Sequence, residues 1–540
     1  MLSTKQAMST DQKLEKSVAQ RRTFGIISHP DAGKTTMTEK ILLFGGAIQM
    51  AGTVKSRKSK KFAASDWMAI EKQRGISVTS SVMRFSCEGY EINLLDTPGH
   101  QDFSEDTYRV LTAVDSALML IDGAKGVEAQ TRKLLEVCRM RKTPVMTFMN
   151  KLDRNCIHPF DLLDDVEKEL KIQCSPLTWP IGMGKEFKGV YDLTTNNIKI
   201  FKPGEAVRDF ASIHIDGLDN PKLDKLVGNA FADQLREDMA LLEGAGTPFT
   251  KEDYIDGKIT PVFFGSAINN FGIREFLHSF LEHAPAPQPR HSVERTVEAA
   301  EKNITGFIFK IQANMDPAHR DRIAFLRICS GKFDRGMRVY HCRLKRMIKL
   351  SNTLTFMAKE REMVEEGYAG DILGIYDTGL FKIGDSLTLG ENLSFTGIPH
   401  FSPEHFMKVH LANPLKYKQL EKGLTQLTEE GATQVFRVTA MNNLVLGVVG
   451  VLQFEVIKFR LLNEYNVEGV FEGVPFTCAR WYHCDDKNTL KAFEQKYLAQ
   501  VALDVEDKKI FLCNSTWDLD YARQKFEGVR FFQNSDHIPV

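Results

Sequence analysis

Nine consecutive residues, Ser28, His29, Pro30, Asp31, Ala32, Gly33, Lys34, Thr35 and Thr36, set a turn of small residues beside a lysine and two hydroxyls. They follow an apolar run, Phe24-Gly25-Ile26-Ile27, and precede a helical pattern from Met37 to Leu43 with apolar residues at 37, 41 and 42. A strand, a glycine-containing turn and a helix start make a cradle for phosphate, because the N–H groups of the turn and of the helix N-terminus converge on one anion. In such a loop Lys34 adds a point charge at the β- and γ-phosphates, and Thr35 offers its hydroxyl to Mg²⁺. The pattern usually opens with glycine, where Ser28 stands here. Gly-Lys-Thr also occurs in ordinary strand–helix turns, so the reading depends on what else the chain carries.

Two further groups supply what is missing. Asp96, Thr97, Pro98, Gly99 and His100 close an apolar strand pattern. Asp96 is placed to hold a Mg²⁺-bound water, and Gly99, without a side chain, lets its N–H approach a γ-phosphate and its peptide swing when that phosphate leaves. Asn150, Lys151, Leu152 and Asp153 follow another apolar strand. A carboxylate at Asp153 accepts two hydrogen bonds from guanine, from the ring N–H and the exocyclic amine, while the Lys151 stem can lie over the base. Adenine lacks that amine and would leave a buried acceptor unpaired, at a cost of about 1–3 kcal/mol. A Pro-Gly turn or a capping aspartate would explain either group alone, but three in this order, each at a strand end, read as a GTP-binding domain.

The elements that must position these loops alternate. Strands are predicted at 23–28, 78–86, 90–95, 117–122, 144–149 and 261–264, with helices at 37–43, 103–114, 128–141 and 273–281. That rhythm gives an α/β domain with a mostly parallel sheet and loops carrying the site at the strand ends. The pattern loosens from about 182 to 258, read as an insertion. Ala284-Pro285-Ala286-Pro287-Gln288-Pro289-Arg290 reads as a stiff linker, the clearest boundary in the chain. Short apolar runs between glycine turns from 303 to 390 predict a β-barrel, and mixed strands and helices from about 393 predict an α+β domain. The expected division is a lead-in at 1–22, a GTP-binding domain at 23–290, a barrel at 291–392 and an α+β domain at 393–540. No internal repeat is evident.

Whole-chain properties narrow the classes. The 70 basic and 70 acidic side chains balance, so contact with nucleic acid must come from local patches. One such patch is Lys55 to Lys61, readable as a solvated loop or as a switch segment touching RNA phosphates. The nine cysteines are scattered, form no C-x-x-C pair and make no cluster with histidines, which fits a reduced compartment without a disulfide framework or a zinc site. No leader pattern and no membrane-length apolar run are present, so the expectation is a cytoplasmic protein without a membrane partner.

The ordered set Ser28 to Thr36, Arg74-Gly75-Ile76-Ser77, Asp96 to His100, Asn150 to Asp153 and Gly265-Ser266-Ala267 resembles the translational GTPases. Ser65-Asp66-Trp67-Met68, Asp102 to Arg109, Phe309 to Pro317 and Gly447 to Glu455 resemble, more narrowly, the bacterial peptide chain release factor 3 family, a relation of elongation factor G. The likeness spans about residues 20–535. It implies a ribosome-stimulated GTPase using GTP, GDP and Mg²⁺. Such factors bind the ribosome, both rRNA and ribosomal proteins, in the GTP state and drive off class I peptide chain release factors. Hydrolysis then releases the GTPase itself, which acts as a monomer. The resemblance makes Thr35 and Ser77 direct Mg²⁺ ligands and Asp96 a ligand through water. His100 becomes the water-orienting residue, and the N–H groups of Ser266 and Ala267 face the guanine carbonyl. Ser28, Pro30 and Ser77 depart from the broader family, which has Gly or Ala, Val and Thr there; all three agree with the release-factor pattern. The end of the chain falls where elongation factor G continues into two further domains, which speaks against a translocase. Two other readings stay open: another translocase-like or ribosome-protection GTPase, and a non-hydrolysing sensor of guanine nucleotides or alarmones.

Overall fold

The computed structural model describes residues 9–48, 71, 77–201, 212–313, 321–357, 360–399, 401–440 and 443–533. Its first sheet contains β1 (Arg21–Ser28), β2 (Ser81–Cys87), β3 (Tyr90–Asp96), β4 (Ser116–Asp122), β5 (Val145–Asn150) and β6 (Gln173–Pro176). Four short strands follow: β7 (Thr178–Ile181), β8 (Gly189–Asp192), β9 (Asn197–Ile200) and β10 (Ser212–His214); β11 (Ile259–Phe264) then returns to the first sheet. The order is β2-β3-β1-β4-β5-β11-β6, with only β2 antiparallel to its neighbour. Along β4, Leu118 and Leu120 face one side while Ala117, Met119 and Ile121 face the other, so a strand buried along its whole length needs helices on both faces. Helices Lys34–Phe44 and Ile273–His283 cover the first face; Ser104–Val110, Ala129–Met140 and Pro159–Leu170 cover the second. The loops after β1, β3, β5 and β11 therefore meet at one edge, where the chain order reverses on either side of β1.

The helix expected over 103–114 is shorter, because the Thr112 hydroxyl bonds the Arg109 carbonyl and the chain tightens into the turn that feeds β4. The loosened region is ordered where described: β7 to β10 form an antiparallel sheet, and Trp179 Nε1 donates to Asp238 of helix Asn229–Ala245 at 2.8 Å. The proline-rich stretch is held to the nucleotide unit rather than spanning solvent. The Gln288 N–H and Arg290 bond the Asp115 carboxylate, which also pairs with Arg327 of strand Arg322–Ser330 at 2.5 Å. That strand belongs to an eight-stranded antiparallel sheet, a half-barrel completed by the strand pair Lys332–Asp334 and Glu366–Tyr368. Burial alone would raise the Asp371 carboxyl of this unit, but Arg84 and Arg21 outweigh it and hold it below the usual carboxylate range. The edge of the nucleotide sheet is thereby pinned to the half-barrel.

The C-terminal unit corrects the expectation of no repeat. Strand His405–Leu411, helix Tyr417–Glu429, strands Gln434–Val438 and Asn443–Val448, helix Leu452–Tyr465 and strand Gly469–Gly473 form one βαββαβ unit. Strand Cys478–His483, helix Lys487–Lys496, strands Val501–Leu503 and Lys509–Cys513, helix Thr516–Lys525 and strand Arg530–Phe532 repeat that order. Each half builds four strands in the same spatial sequence, and the halves join through Arg437↔Leu503 and Val438↔Ala502 into one eight-stranded sheet. The repeat is one of topology, and the second half uses strands of three to six residues that carry little alternation.

Candidate functional site

The phosphate loop leaves β1 at Ser28, which is buried with its Oγ lacking a protein partner. His29 places Nε2 3.3 Å from Glu128 and buries Nδ1 without a partner. Pro30 lies against Gly99, Asp31 is exposed with φ 67°, and Ala32 is buried. Gly33 takes φ 101°, and a Cβ there would meet Asn150 Nδ2 at 2.5 Å, so both backbone and neighbour require glycine. Helix Lys34–Phe44 begins at once, with Thr35 and Thr36 half-buried in its first turn. Lys34 Nζ pairs with Asp96 Oδ1 at 2.6 Å, both side chains nearly fully buried. Asp96 Oδ2 is buried without a partner, an acceptor open to a hydrogen-bond donor such as a cation-bound water.

The turn after β3 is anchored by Thr97, whose hydroxyl donates to the Ile26 carbonyl at 2.7 Å. Pro98 accepts from the Thr107 hydroxyl. His100 is one-third exposed and Nδ1 accepts the Asp102 N–H at 3.2 Å, which leaves Nε2 as the ring atom available to a water. Ser77 opens the described segment before β2 and is half-buried; Arg74, Gly75, Ile76 and Lys55 to Lys61 lie outside the described residues. Just beyond it, Glu71 accepts the Val78 and Thr79 N–H groups.

The base-reading loops are cross-braced. Asn150 donates from Nδ2 to the Ala32 carbonyl and accepts the Ala267 N–H on Oδ1, each at 2.8 Å. Lys151, at φ 72°, donates to the Asp31 carbonyl and pairs with Asp122 at 2.5 Å, so its stem spans from one loop to the other. Leu152 is fully buried and serves as packing. Half-buried Asp153 accepts the Ser266 hydroxyl at 2.6 Å, which aims its carboxylate. The Ser266 N–H donates to the Phe271 carbonyl at 3.0 Å, so the N–H groups of Ser266 and Ala267 both point to protein partners, and reading a guanine carbonyl with them requires exchanging those partners.

Sequence reasoning missed the residues that tie this edge to the rest of the chain. Asp102 Oδ2 accepts the N–H of Leu452, the first residue of helix Leu452–Tyr465, at 2.7 Å. Asp106 accepts the N–H and hydroxyl of Ser80 and pairs with Lys310 of the half-barrel strand Thr305–Ala313 at 3.1 Å. Burial would raise the Asp106 carboxyl, but Lys310 and Ser80 hold it low. The one visible signal was Lys310 itself, the single charge in strand Thr305–Ala313.

Residues 19–286 match the family model of the elongation factor Tu GTP binding domain, and 303–390 that of elongation factor G domain 2. Residues 395–523 match the class II release factor RF3, C-terminal domain. The chain belongs to the release factor 3 family of translational GTPases. It is a GTPase of the translation-factor kind that binds guanine nucleotide. The architecture of this release factor 3 family member is also that of a crystal structure of a Thermus thermophilus protein, 23% identical, covering 87% of this chain and 71% of that chain with a TM-score of 0.69. Among the described residues no helix is long and apolar enough to cross a membrane.

Proposed function

We propose that the chain is a ribosome-stimulated GTPase that binds the ribosome in its GTP state and promotes dissociation of class I peptide chain release factors at the end of translation. Hydrolysis to GDP and phosphate then lets it leave. The observation that carries this reading is the bond from Asp102 to the start of helix Leu452–Tyr465: the turn that bears His100 touches the domain that matches the class II release factors. A change at the γ-phosphate is thereby passed to a body that can act on a partner.

In this reading Lys34 and the loop amides of His29 to Gly33 bind the phosphates, with Ser28 and Thr36 at the loop's two ends. Thr35, Ser77 and, through water, Asp96 would hold Mg²⁺, which neutralises phosphate charge when bound. Pairing of Lys34 with Asp96 keeps both ready for those partners. The Gly99 N–H takes a γ-phosphate oxygen, with Thr97 and Pro98 fixing the turn. His100 orients the attacking water, and most of the acceleration comes from positioning and electrostatics. Asp153, steadied by Ser266, selects guanine; Asn150 and Lys151 hold the base loop to the phosphate loop, with Leu152 packed beneath and Ala267 beside the base. The proposed division is a GTP-binding domain at 23–290, including its insertion, a barrel at 291–392 and an α+β domain at 393–540. The protein works as a cytoplasmic monomer.

The test is GTP turnover with and without ribosomes, in the presence of a class I release factor. The expected result is stimulation by ribosomes and faster turnover of the class I factor. His100→Ala is expected to bind GTP normally and lose the stimulation. Binding without hydrolysis, or hydrolysis with no effect on the class I factor, would overturn the reading.

A further inference from the structure

The two C-terminal repeats use the same helix position differently. In the first, helix Leu452–Tyr465 buries Phe454, Ile457 and Leu461 in its own sheet and lays Leu452 and Val456 against Val78 and Phe103 of the nucleotide unit. In the second, helix Thr516–Lys525 buries Leu519 and Ala522. Trp517 and Tyr521 stand two residues to either side of Leu519, as Leu452 and Val456 stand about Phe454. The positions that dock the first repeat are thus 68% and 37% exposed in the second. The second repeat therefore leaves uncovered, side by side on one helix face, the positions that the first repeat buries against another domain.

The chemistry at those positions has changed. Aliphatic side chains are replaced by two flat rings, stacked with centroids 5.2 Å apart and planes 10° from parallel. Lys496 Nζ lies 4.5 Å from the Tyr521 ring centre and Lys525 Nζ 5.8 Å from it. Among the described residues neither ammonium has an ion-pair partner, whereas the nearby Arg523 is matched by Asp520. Both ammonium groups thus lie against one ring, two like charges crowded at one edge. An anion there relieves that repulsion, while Trp517, at the other end of the stack, is open to a planar group.

We propose that this face binds single-stranded RNA: Trp517, backed by Tyr521, offers its outer face to an unpaired base, and Lys496 and Lys525 hold the adjoining phosphates. Stacking accepts any base, so the site reads single-strandedness rather than sequence. This goes beyond the nucleotide site and shares no residue with it.

The test uses the full chain with GDP and a labelled single-stranded oligoadenylate RNA, read by anisotropy across a salt series. Trp517→Ala is expected to weaken binding roughly tenfold, and Trp517→Phe to keep most of it, since a ring remains. Lys496→Gln with Lys525→Gln is expected to lower the slope of log affinity against log salt by about 1.4, at about 0.7 per phosphate contact. Duplex RNA of equal length should compete poorly. Unchanged affinity in Trp517→Ala, equal competition by the duplex, or displacement by an acidic peptide at matching concentration would each overturn the proposal, the last by assigning the face to a protein partner. No ribosome and no hydrolysis enter the assay, so its failure and a failure of the proposed function are separate results.

Discussion

Replacing Asp102 by alanine should loosen the C-terminal unit from the hydrolytic turn while leaving that turn's own geometry in place. The carboxylate caps the N-terminus of helix Leu452–Tyr465 from another domain, at 2.7 Å and with a side chain 13% exposed. A hydrogen bond to a charged group contributes about 1.5–3 kcal/mol, and a negative charge at a helix start adds about 0.3–1 kcal/mol. Partial exposure favours the lower part of the range, so the loss is about 2 kcal/mol, or roughly 30-fold in the balance between docked and released helix. Asp102→Asn keeps an acceptor and loses the charge, for about 1 kcal/mol and roughly fivefold. The bond to His100 from the backbone N–H of residue 102 survives both changes, while the carboxylate oxygen 3.2 Å from His100 Nδ1 is lost in Asp102→Ala and replaced by a neutral amide in Asp102→Asn. Gly450→Ala supplies an independent route, because its Cβ would lie 2.3 Å from Asp102 Cα and could not fit while the helix is docked. The assay is hydrogen exchange at the amides of residues 450–454, with nucleotide affinity as the control. Faster exchange in Asp102→Ala and Gly450→Ala, with an intermediate Asp102→Asn and unchanged GTP affinity, is expected. If exchange in Asp102→Ala matched the wild type, the cross-domain cap would carry no energy and could not couple the hydrolytic turn to the C-terminal unit.

Other perturbations reach the remaining parts of the argument. Asp153→Asn should weaken GTP and improve binding of xanthosine triphosphate, measured by competition; an unchanged preference would remove Asp153 from base reading. Asp371→Asn leaves Arg21 buried beside a neutral partner, while Arg84 keeps Glu91 at 3.1 Å, and should cost about 3 kcal/mol in urea unfolding near neutral pH, the low end for a broken buried pair. The Asp371 carboxyl is held below its ordinary value, so its contribution is present above the unfolded value and is lost as pH falls through the folded one. The gap between wild type and Asp371→Asn should therefore begin to narrow as pH falls through about 4 and close only below the lowered folded value. Gly33→Ala should abolish nucleotide binding, read by fluorescence of a labelled guanine nucleotide, since the new Cβ would strike Asn150 and oppose the φ of 101°.

The loops of the candidate site were legible because each is local: turn residues, a lysine or carboxylate and an apolar strand lie within a few positions of one another. Strands buried on both faces, such as β4, announce themselves as continuous apolar runs. The partners of those loops were not legible. Asp102 and Leu452 are 350 positions apart, and nothing near either residue names the other. Asp122 looked like the end of a strand until its pairing with Lys151 placed it between the two loops. The second C-terminal repeat was hidden for a different reason. Helix Lys487–Lys496 buries only Phe493, and strand Val501–Leu503 has three residues, so neither carries enough periodicity to be matched with its counterpart in the first repeat. The direction of the Ser266 and Ala267 N–H groups depends on Phe271 and Asn150, which compete for them inside the fold.

The seam between the repeats consists of Arg437↔Leu503 and Val438↔Ala502, but the core beneath it, with Phe436, Trp481 and Leu512, runs unbroken across both halves. A plate welded in that way does not fold at its midline. When the inner helix tilts on the nucleotide unit, the outer helix cannot stay behind; it sweeps through a wider arc, as the blade of an oar does when the handle is moved a little.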